Sequence, residues 1–423
     1  MKRRTFLSTA GAALGAAAVG DTLASPSPGP RQPSSLADPG PRSPPSIARR
    51  SSRVVVVGAG AFGGWTALHL AERGAAVTLV DAYGPGNARA TSGDETRGLR
   101  FAYGDREMYT RWAVEALHRW NARQEEWGEE LMVTTGRLTL VPEVTPELRT
   151  TQGILDRNGV ASEWLDGHEL RRRWPQIGSD GVGAALYEPE ATTLRASLAC
   201  RVVAAAVVRA GGEVRIGRVQ PPRTGAGSRV EALRLDDGDP LQADAFVFAC
   251  GSWLPRLFPD VLGDRITVPR RDVFLFGPPA GDPRFSFPHL PNFSEGSHSV
   301  YGFPDLDGVG FKVAPYGGID PFDPDTDERA PAAHWLRRAR NYLALRFPAM
   351  REQPLVHSRV CQLENTADQH FLIDRHPGFE NVWIAGGGSG HGFKHGPMVG
   401  DHVARRVLGE DPDPEYAARW KIA

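Results

Sequence analysis

Three glycines and one acid near residue 60 have the spacing of a nucleotide-binding motif. Four consecutive valines, Val54–Val57, predict a strand buried on both faces, as in parallel sheets. Gly58, Gly60 and Gly63 follow in the G-x-G-x-x-G pattern. These glycines allow a tight turn, close approach of a pyrophosphate and close packing of the next helix. A second predicted strand ends in Asp81, which could accept a hydrogen bond from a ribose hydroxyl. This order of elements predicts dinucleotide binding.

A second glycine-rich segment, WIAGGGSGHGFKHGP, lies near the C-terminus between a predicted strand and a helix that begins near Pro397. Its glycines would let backbone amides approach a flat ligand. The positive end of the following helix favours negative charge at that position. His391 and His395 form a close histidine pair without carboxylate neighbours, so we do not expect a metal site there.

Composition narrows the possible functions. The 423 residues suffice for two domains and a large core. A net charge of −1 gives no indication of nucleic acid or an anionic membrane as partner. Cys200, Cys250 and Cys361 cannot all pair and match no zinc or C-x-x-C pattern. Lysine is rare beside arginine, so the two internal lysines, Lys312 and Lys394, are candidates for a specific role.

The first residues have the pattern of an export signal. Arg3 and Arg4 precede Phe6 and Leu7, which is typical of twin-arginine signals. The Ala/Gly-rich run that follows is too short and too weakly apolar for a stable membrane span. We expect a signal peptide over residues 1–25 and a Pro/Ser-rich linker over residues 26–52. The twin-arginine translocase would then deliver the protein to the periplasm or the extracellular space. A disordered basic N-terminus is the alternative.

Helix and strand patterns alternate along the rest of the chain and predict an α/β fold. The aromatic stripe of a helix predicted over Asp105–Trp127 is expected to be core. Loose alternation over Leu131–Val141 suggests antiparallel strands around Gly136. Val300–Phe303 and Gly310–Ala314 are joined by a turn sequence and predict part of a separate antiparallel sheet.

The two glycine motifs together resemble those of amine-oxidising FAD enzymes of the D-amino-acid-oxidase-like family. Within it, the chain is most similar to the group of sarcosine, N-methyl amino-acid and pipecolate oxidases. The resemblance runs from Arg53 to about Gly409. The further segments that carry it are VDAYGP, GDETRGLRFAYG, RRWP, YEPEA, FVFACGSW, YGFP and CQLENTADQHFLIDRHP.

The resemblance implies an α/β fold with a FAD-binding Rossmann-like domain and a second, antiparallel-sheet substrate domain. The FAD-binding domain would comprise residues 53–135, 193–265 and 355–423, and the substrate domain residues 136–192 and 266–354. FAD is expected rather than NAD, because the C-terminal glycine loop would meet an isoalloxazine. We expect a monomer.

The implied activity is oxidation of the C–N bond of a secondary amine or amino acid, giving an imine. Dioxygen would then take the electrons and yield hydrogen peroxide. One alternative is a dehydrogenase that passes electrons to a quinone or carrier. Another is a non-catalytic flavoprotein, which the retained candidate catalytic residues disfavour.

Cys361 matches the cysteine that forms a thioether to the 8α carbon of the flavin in the sarcosine oxidase group, so covalent FAD is expected. An isolated buried cysteine would otherwise be a packing residue. Arg97 would lie against the isoalloxazine ring. The expected cofactor-binding residues are Gly58, Ala59, Gly60, Phe62, Gly63, Asp81, Thr96, Arg97, Val219, Cys361, Gly387, Gly388, Gly390, His391, Gly392 and Lys394.

The resemblance also implies roles for four candidate catalytic residues. Arg100 would bind a substrate carboxylate through a bidentate fork, and Lys394 would help to hold it. Lys312 matches a lysine on the opposite flavin face, where a fixed ammonium stabilises superoxide as it forms. Tyr301 matches an active-site tyrosine. Without the resemblance, Arg100 could be a solvated loop residue and Lys312 a structural strand residue.

Three departures alter the expected pocket. Tyr316 stands at the position of the group's active-site histidine, and Leu363 replaces an aromatic residue. Ser92 and Gly93 replace a histidine pair. Sarcosine itself therefore does not follow as the substrate.

Replacing both Arg3 and Arg4 with lysine is expected to trap flavin-loaded precursor in the cytoplasm, because the translocase reads the arginine pair. Fractionation and immunoblotting would measure this, with Arg31→Lys in the linker as control. Normal export of the double variant would exclude the twin-arginine pathway.

Overall fold

The computed structural model describes residues 52–223, 228–318, 320–410 and 413–422. The predicted signal peptide and nearly all of the predicted linker lie outside these ranges. None of the helices within them has the length and apolarity needed to cross a membrane.

The described residues alternate between helices and strands, as the sequence predicts. The helices are α1 (Ala61–Glu72), α2 (Glu107–Trp127), α3 (Pro146–Arg157), α4 (Gly167–Arg173), α5 (Ala196–Arg209), α6 (Leu254–Leu257), α7 (Pro259–Leu262), α8 (Ala333–Arg346), α9 (Gly396–Leu408) and α10 (Pro414–Arg419). The strands are β1 (Arg53–Val57), β2 (Ala76–Asp81), β3 (Thr96–Leu99), β4 (Met132–Thr134), β5 (Arg137–Val141), β6 (Glu163–Asp166), β7 (Ala184–Glu188), β8 (Thr192–Arg195), β9 (Glu213–Ile216), β10 (Ala232–Arg234), β11 (Pro240–Gln242), β12 (Ala245–Phe248), β13 (Ile266–Thr267), β14 (Arg270–Phe276), β15 (Asn292–Glu295), β16 (Val300–Phe303), β17 (Phe311–Pro315), β18 (Leu355–Gln362), β19 (Asn365–Thr366), β20 (Leu372–Arg375) and β21 (Val382–Gly386).

A six-stranded sheet carries the nucleotide motif. Its strand order is β20-β21-β12-β1-β2-β9, and neighbouring strands are parallel except for β20 and β21. The four valines of β1 are buried, as predicted for a strand covered on both faces. Helix α1 packs against α5 and α9. This Rossmann-like arrangement confirms the predicted fold class.

An eight-stranded sheet forms the second layer, in the order β18-β14-β17-β16-β15-β5-β7-β6. The sheet is mixed, because β15 and β5 pair in parallel, whereas a purely antiparallel sheet was expected. These two strands lie far apart in sequence, so no hairpin dictates their relative direction. Strand β18, which the predicted boundaries group with the FAD-binding stretches, pairs with β14 and belongs to this sheet. The predicted domain boundaries stay predictions.

The two strands expected around Gly136 exist but do not pair with each other. Strand β4 pairs with β8 in a three-stranded sheet, whereas β5 lies in the eight-stranded sheet. Gly136 adopts a left-handed φ of 68°, which redirects the chain between the sheets.

The predicted hairpin of β16 and β17 is present. Phe303 pairs with Lys312, and Tyr301 pairs with Ala314. Asp307 and Gly308 adopt left-handed φ values of 64° and 75° in the connecting turn. The hairpin thereby places two candidate catalytic residues on adjacent strands.

Close backbone contacts position the start of α1. A Cβ atom at Gly63 would lie 1.9 Å from the carbonyl oxygen of Gly58. Gly58 itself has a φ of 103°, and a Cβ there would lie 2.4 Å from the carbonyl oxygen of Ala249. The first turn of α1 can therefore approach the carboxyl ends of the parallel strands only with glycine at both positions.

Gly63→Ala is expected to destabilise the protein by about 1–3 kcal/mol, because its methyl group would force α1 away from β1. Gly153→Ala in α3 is the matched control, since a Cβ there meets only the Arg157 side chain at 3.7 Å. The control should be stabilising by roughly 0.5–1 kcal/mol. Urea unfolding measures both, and equal free energies of unfolding would contradict the packing argument.

Candidate active site

One large cavity connects the nucleotide motif to the eight-stranded sheet. Its volume is about 1380 Å³, more than a drug-sized ligand needs. The predicted site residues that line it are Gly58, Gly60, Phe62, Asp81, Thr96, Arg97, Arg100, Val219, Tyr301, Cys361, Gly388, Gly390, His391, Gly392 and Lys394. Ala59, Gly63, Gly387 and Lys312 are not among the described residues that line it. The cavity thus brings together both glycine motifs, the cysteine and three of the four candidate catalytic residues.

The nucleotide end of the cavity combines an acid with a helix N-terminus. Asp81 accepts hydrogen bonds from the backbone N–H groups of Ala59, at 2.8 Å, and Tyr83, at 2.9 Å. Burial raises the pKa of Asp81, and these backbone bonds oppose the shift. Helix α1 begins after Gly60 without a side-chain cap. Its first N–H groups therefore suit a pyrophosphate, with Asp81 beside the ribose position.

Cys361 lies on β18 next to a cation. Its Sγ is 3.8 Å from Nη2 of the Arg97 guanidinium. Among the described residues, neither of the other two cysteines has a hydrogen bond to an arginine. Burial raises the pKa of Cys200 to about 12, and it also raises that of Cys250. Cys361 is therefore the thiol best placed for nucleophilic chemistry.

Asp94, which sequence reasoning missed, bridges two of the predicted site cations. Its Oδ2 accepts hydrogen bonds from Nη1 of Arg97 and from Nζ of Lys312. Burial alone would raise the pKa of Asp94, but Lys312 and Arg97 hold it well below its usual range. Burial lowers the pKa of Lys312, while Asp94 opposes that shift. The three groups form a buried cluster with a net charge of +1.

Lys312 has no free donor in this cluster. Besides Asp94, its ammonium donates to the carbonyl oxygen and to Oγ1 of Thr96, both at 3.1 Å. An ammonium has three protons, so every donor is used. Asp94 and Thr96 line the cavity, and Lys312 lies behind them.

A second group of cations surrounds Tyr103. Nζ of Lys394 donates to the Tyr103 hydroxyl at 2.8 Å and to the His391 carbonyl at 2.9 Å. The Arg100 guanidinium lies over the Tyr103 ring, 4.3 Å from its centroid. Burial and the nearby arginines Arg100 and Arg137 hold the pKa of Lys394 well below its usual range. Burial and the charge of Lys394 hold the pKa of His391 well below its usual range and keep that imidazole neutral.

Tyr301 lines the cavity from β16 and stays protonated, because burial raises its pKa to about 12. Its ring centroid lies 6.2 Å from that of Tyr316, the residue that replaces the family histidine. Leu363 and Ser92 line the cavity as well. The three sequence departures therefore all reach the cavity wall.

Sequence reasoning also missed two cavity residues, Arg137 and Glu364. Both are cavity-lining residues, and burial raises the pKa of Glu364 to about 7. Arg137 follows Gly136 at the start of a strand expected from alternation, but nothing in that pattern indicated which sheet face it would occupy. Glu364 follows three residues after Cys361 in the segment CQLENTADQHFLIDRHP, so its place in that segment was the available signal.

The comparisons with known proteins agree with this geometry. Residues 53–406 match the family described as FAD dependent oxidoreductase. The chain is similar to monomeric sarcosine oxidase of Streptomyces avermitilis, with 30% identity over 84% of this chain and 93% of the relative. It is 25% identical to N-methyl-L-tryptophan oxidase of Yersinia pestis over 88% of this chain and 98% of the relative.

Among solved structures, L-proline dehydrogenase from P. horikoshii has the same fold, with a TM-score of 0.77 and 21% identity. That match covers 88% of this chain and 97% of the other. A family match over nearly the whole described fold, together with the nucleotide motif and the cavity it lines, decides the assignment. The chain belongs to the FAD-dependent oxidoreductase family.

Proposed function

We propose that this chain uses FAD to oxidise the C–N bond of a secondary amine or amino acid to an imine. The supporting observation is that Arg100, Lys394 and Tyr301 line the same cavity as the nucleotide motif. The residues fit FAD, because glycines, Asp81 and Arg97 border one continuous cavity. Bound FAD supplies the acceptor for a hydride equivalent from the carbon beside the amine.

The protein's own contribution is orientation and electrostatics. Arg100 and Lys394 hold the carboxylate of an amino-acid substrate, with Lys394 itself positioned by Tyr103. The same cations lower the pKa of a bound amine. Its neutral form, which can release a hydride, is then favoured at neutral pH. The neutral His391 adds no further charge.

We also propose that Cys361 bonds covalently to FAD, as the family resemblance implies. The sulfur would replace one hydrogen of the 8α methyl group, and the thiol proton, the 8α proton and two electrons would pass to dioxygen as hydrogen peroxide. The neighbouring Arg97 supports this role, since a thiolate is the attacking species.

Acid precipitation of the wild-type protein is expected to leave flavin in the pellet, with a mass gain of roughly one FAD by mass spectrometry. Cys361→Ala should release its flavin to the supernatant, whereas the control Cys200→Ala should retain it. Free flavin from the wild type would exclude the linkage without affecting the family assignment.

For the electron acceptor we propose dioxygen, giving hydrogen peroxide, with Lys312 as the residue that stabilises the developing charge. One observation favours a dehydrogenase instead. All three Lys312 donors are engaged, and Asp94 stands between its ammonium and the cavity. A partly neutralised lysine stabilises a nearby anion less than a free one.

Lys312→Met is expected to slow reoxidation of the photoreduced enzyme by dioxygen on the order of 100- to 1000-fold. Asp94→Asn should also slow reoxidation, because without that carboxylate burial and Arg97 lower the pKa of Lys312 further and favour its neutral form. Anaerobic bleaching by substrate should change little in Lys312→Met. Arg100→Met, the control, should weaken bleaching and leave reoxidation unchanged. Stopped-flow absorbance measures both half-reactions. Wild-type reoxidation in Lys312→Met would favour the dehydrogenase.

We further propose export through the twin-arginine pathway to the periplasm or extracellular space, and action as a monomer. The arginine pair of the N-terminal segment supports the first proposal.

A further inference from the structure

The substrate end of the cavity holds more positive than negative charge. Arg100, Arg137 and Lys394 all line it. Within the described residues, Glu188 is the buried carboxylate that acts against the pKa shifts of Arg137 and Lys394. Asp105 and Glu147 also line the cavity, but both are exposed, so solvent and salt screen them.

One carboxylate oxygen of Glu188 already accepts hydrogen bonds from the backbone. Its Oε1 accepts the N–H groups of Phe101 at 2.7 Å and Ala102 at 2.9 Å, which holds the segment that follows Arg100. Its Oε2 lies 4.0 Å from Nε of Arg137, beyond hydrogen-bonding distance. Neither Oε2 of Glu188 nor Nε of Arg137 has a hydrogen-bond partner among the described residues.

Arg137 itself is an incompletely paired cation at the cavity wall. Nη2 donates to the Ser294 hydroxyl at 2.8 Å, which still has its own proton to donate. Burial, followed by the charge of Arg100, lowers the pKa of Arg137 to about 10. A guanidinium in this state gains stability from any anion that reaches it.

A count of charges then constrains the ligand. Three cations face one internal carboxylate, and the α-carboxylate of an amino acid would pair with Arg100 and Lys394. One positive charge would stay uncompensated, and the ion pair of Arg137 with Glu188, at 4.0 Å, has no hydrogen bond. A neutral substrate side chain beside Arg137 would leave this surplus positive charge buried, which is costly.

We infer that the substrate carries a second anionic group, which Arg137 and Ser294 bind while Arg100 and Lys394 bind the first. This inference rests on the proposed amine oxidation and specifies its substrate class. The class is the N-alkylated or secondary-amine derivative of a dicarboxylic amino acid. The planar guanidinium and the serine hydroxyl together match a carboxylate.

The first test compares two substrates of equal shape with the wild-type holoenzyme. N-methylglutamate and N-methylglutamine, each as both enantiomers, are mixed anaerobically with the enzyme, and flavin bleaching gives the rate and Kd. We expect Kd for N-methylglutamate to be lower by a factor of about 30 or more. Equal Kd values with efficient bleaching by both would overturn the inference and leave the proposed function intact.

Variants of Arg137 assign that preference to a residue. Arg137→Gln should raise Kd for N-methylglutamate about 30-fold or more and leave that for N-methylglutamine nearly unchanged. Arg137→Lys keeps the charge without the fork and should give an intermediate Kd. Arg172→Gln, an exposed arginine of α4, is the matched control. A preference that survives in Arg137→Gln would overturn the assignment.

A binding measurement separates this inference from the proposed function. Glutarate and its monoamide contain no amine and can be titrated into the oxidised holoenzyme by calorimetry. Tighter binding of glutarate that is lost in Arg137→Gln supports the second anion site even if no amine bleaches the flavin. Equal binding of the two ligands by the wild type overturns it.

Discussion

The buried carboxylate of Asp94 holds the central part of the site together. It joins the segment before β3 to β17 through Lys312, and it also fixes Arg97 beside Cys361. A buried ion cluster of this kind is costly to desolvate and stable only when each charge has a partner. Removing one partner would therefore leave another buried charge of the cluster without compensation. The position of the predicted cofactor cysteine and that of the predicted oxygen-side lysine depend on the same acid.

Charge is distributed unevenly along the cavity. At the centre, one acid faces two cations in direct hydrogen-bonded contact, whereas at the other end one acid faces three cations. The first arrangement limits the field that a lysine can exert on a small neutral molecule such as dioxygen. The second arrangement favours the binding of an anionic ligand. The larger surplus of positive charge therefore lies around Arg100, Arg137 and Lys394 and not around Lys312.

The structural elements that a local sequence pattern specifies could be predicted. The valine strand, the three glycines and Asp81 occur where the motif requires them, because the whole motif is contained in one short stretch, Val54–Asp81. Asp94 and Arg137 were not predictable in the same way. The partner of Asp94 is 218 residues away in sequence, and Arg137 meets Ser294 157 residues away. Likewise, the resemblance identified Lys312 but could not indicate that an acid would stand between it and the cavity. A local sequence pattern does not show which charged residues pair with each other when they lie far apart in the chain.

The location of Cys361 depends on strand register. Arg271 and Cys361 are opposite each other in the pairing of β14 with β18, and both line the cavity. Two residues earlier on the same face, Arg359 pairs with Val273 and donates to the Gly93 carbonyl and to Glu95. This arginine ties the edge strand to the segment that carries Asp94. A shift of one residue in the register of β18 would turn the side chains of Arg359 and Cys361 to the opposite face of the sheet. The cysteine therefore faces the cavity because the pairing and the arginine contacts select one register, and its motif alone does not specify that position.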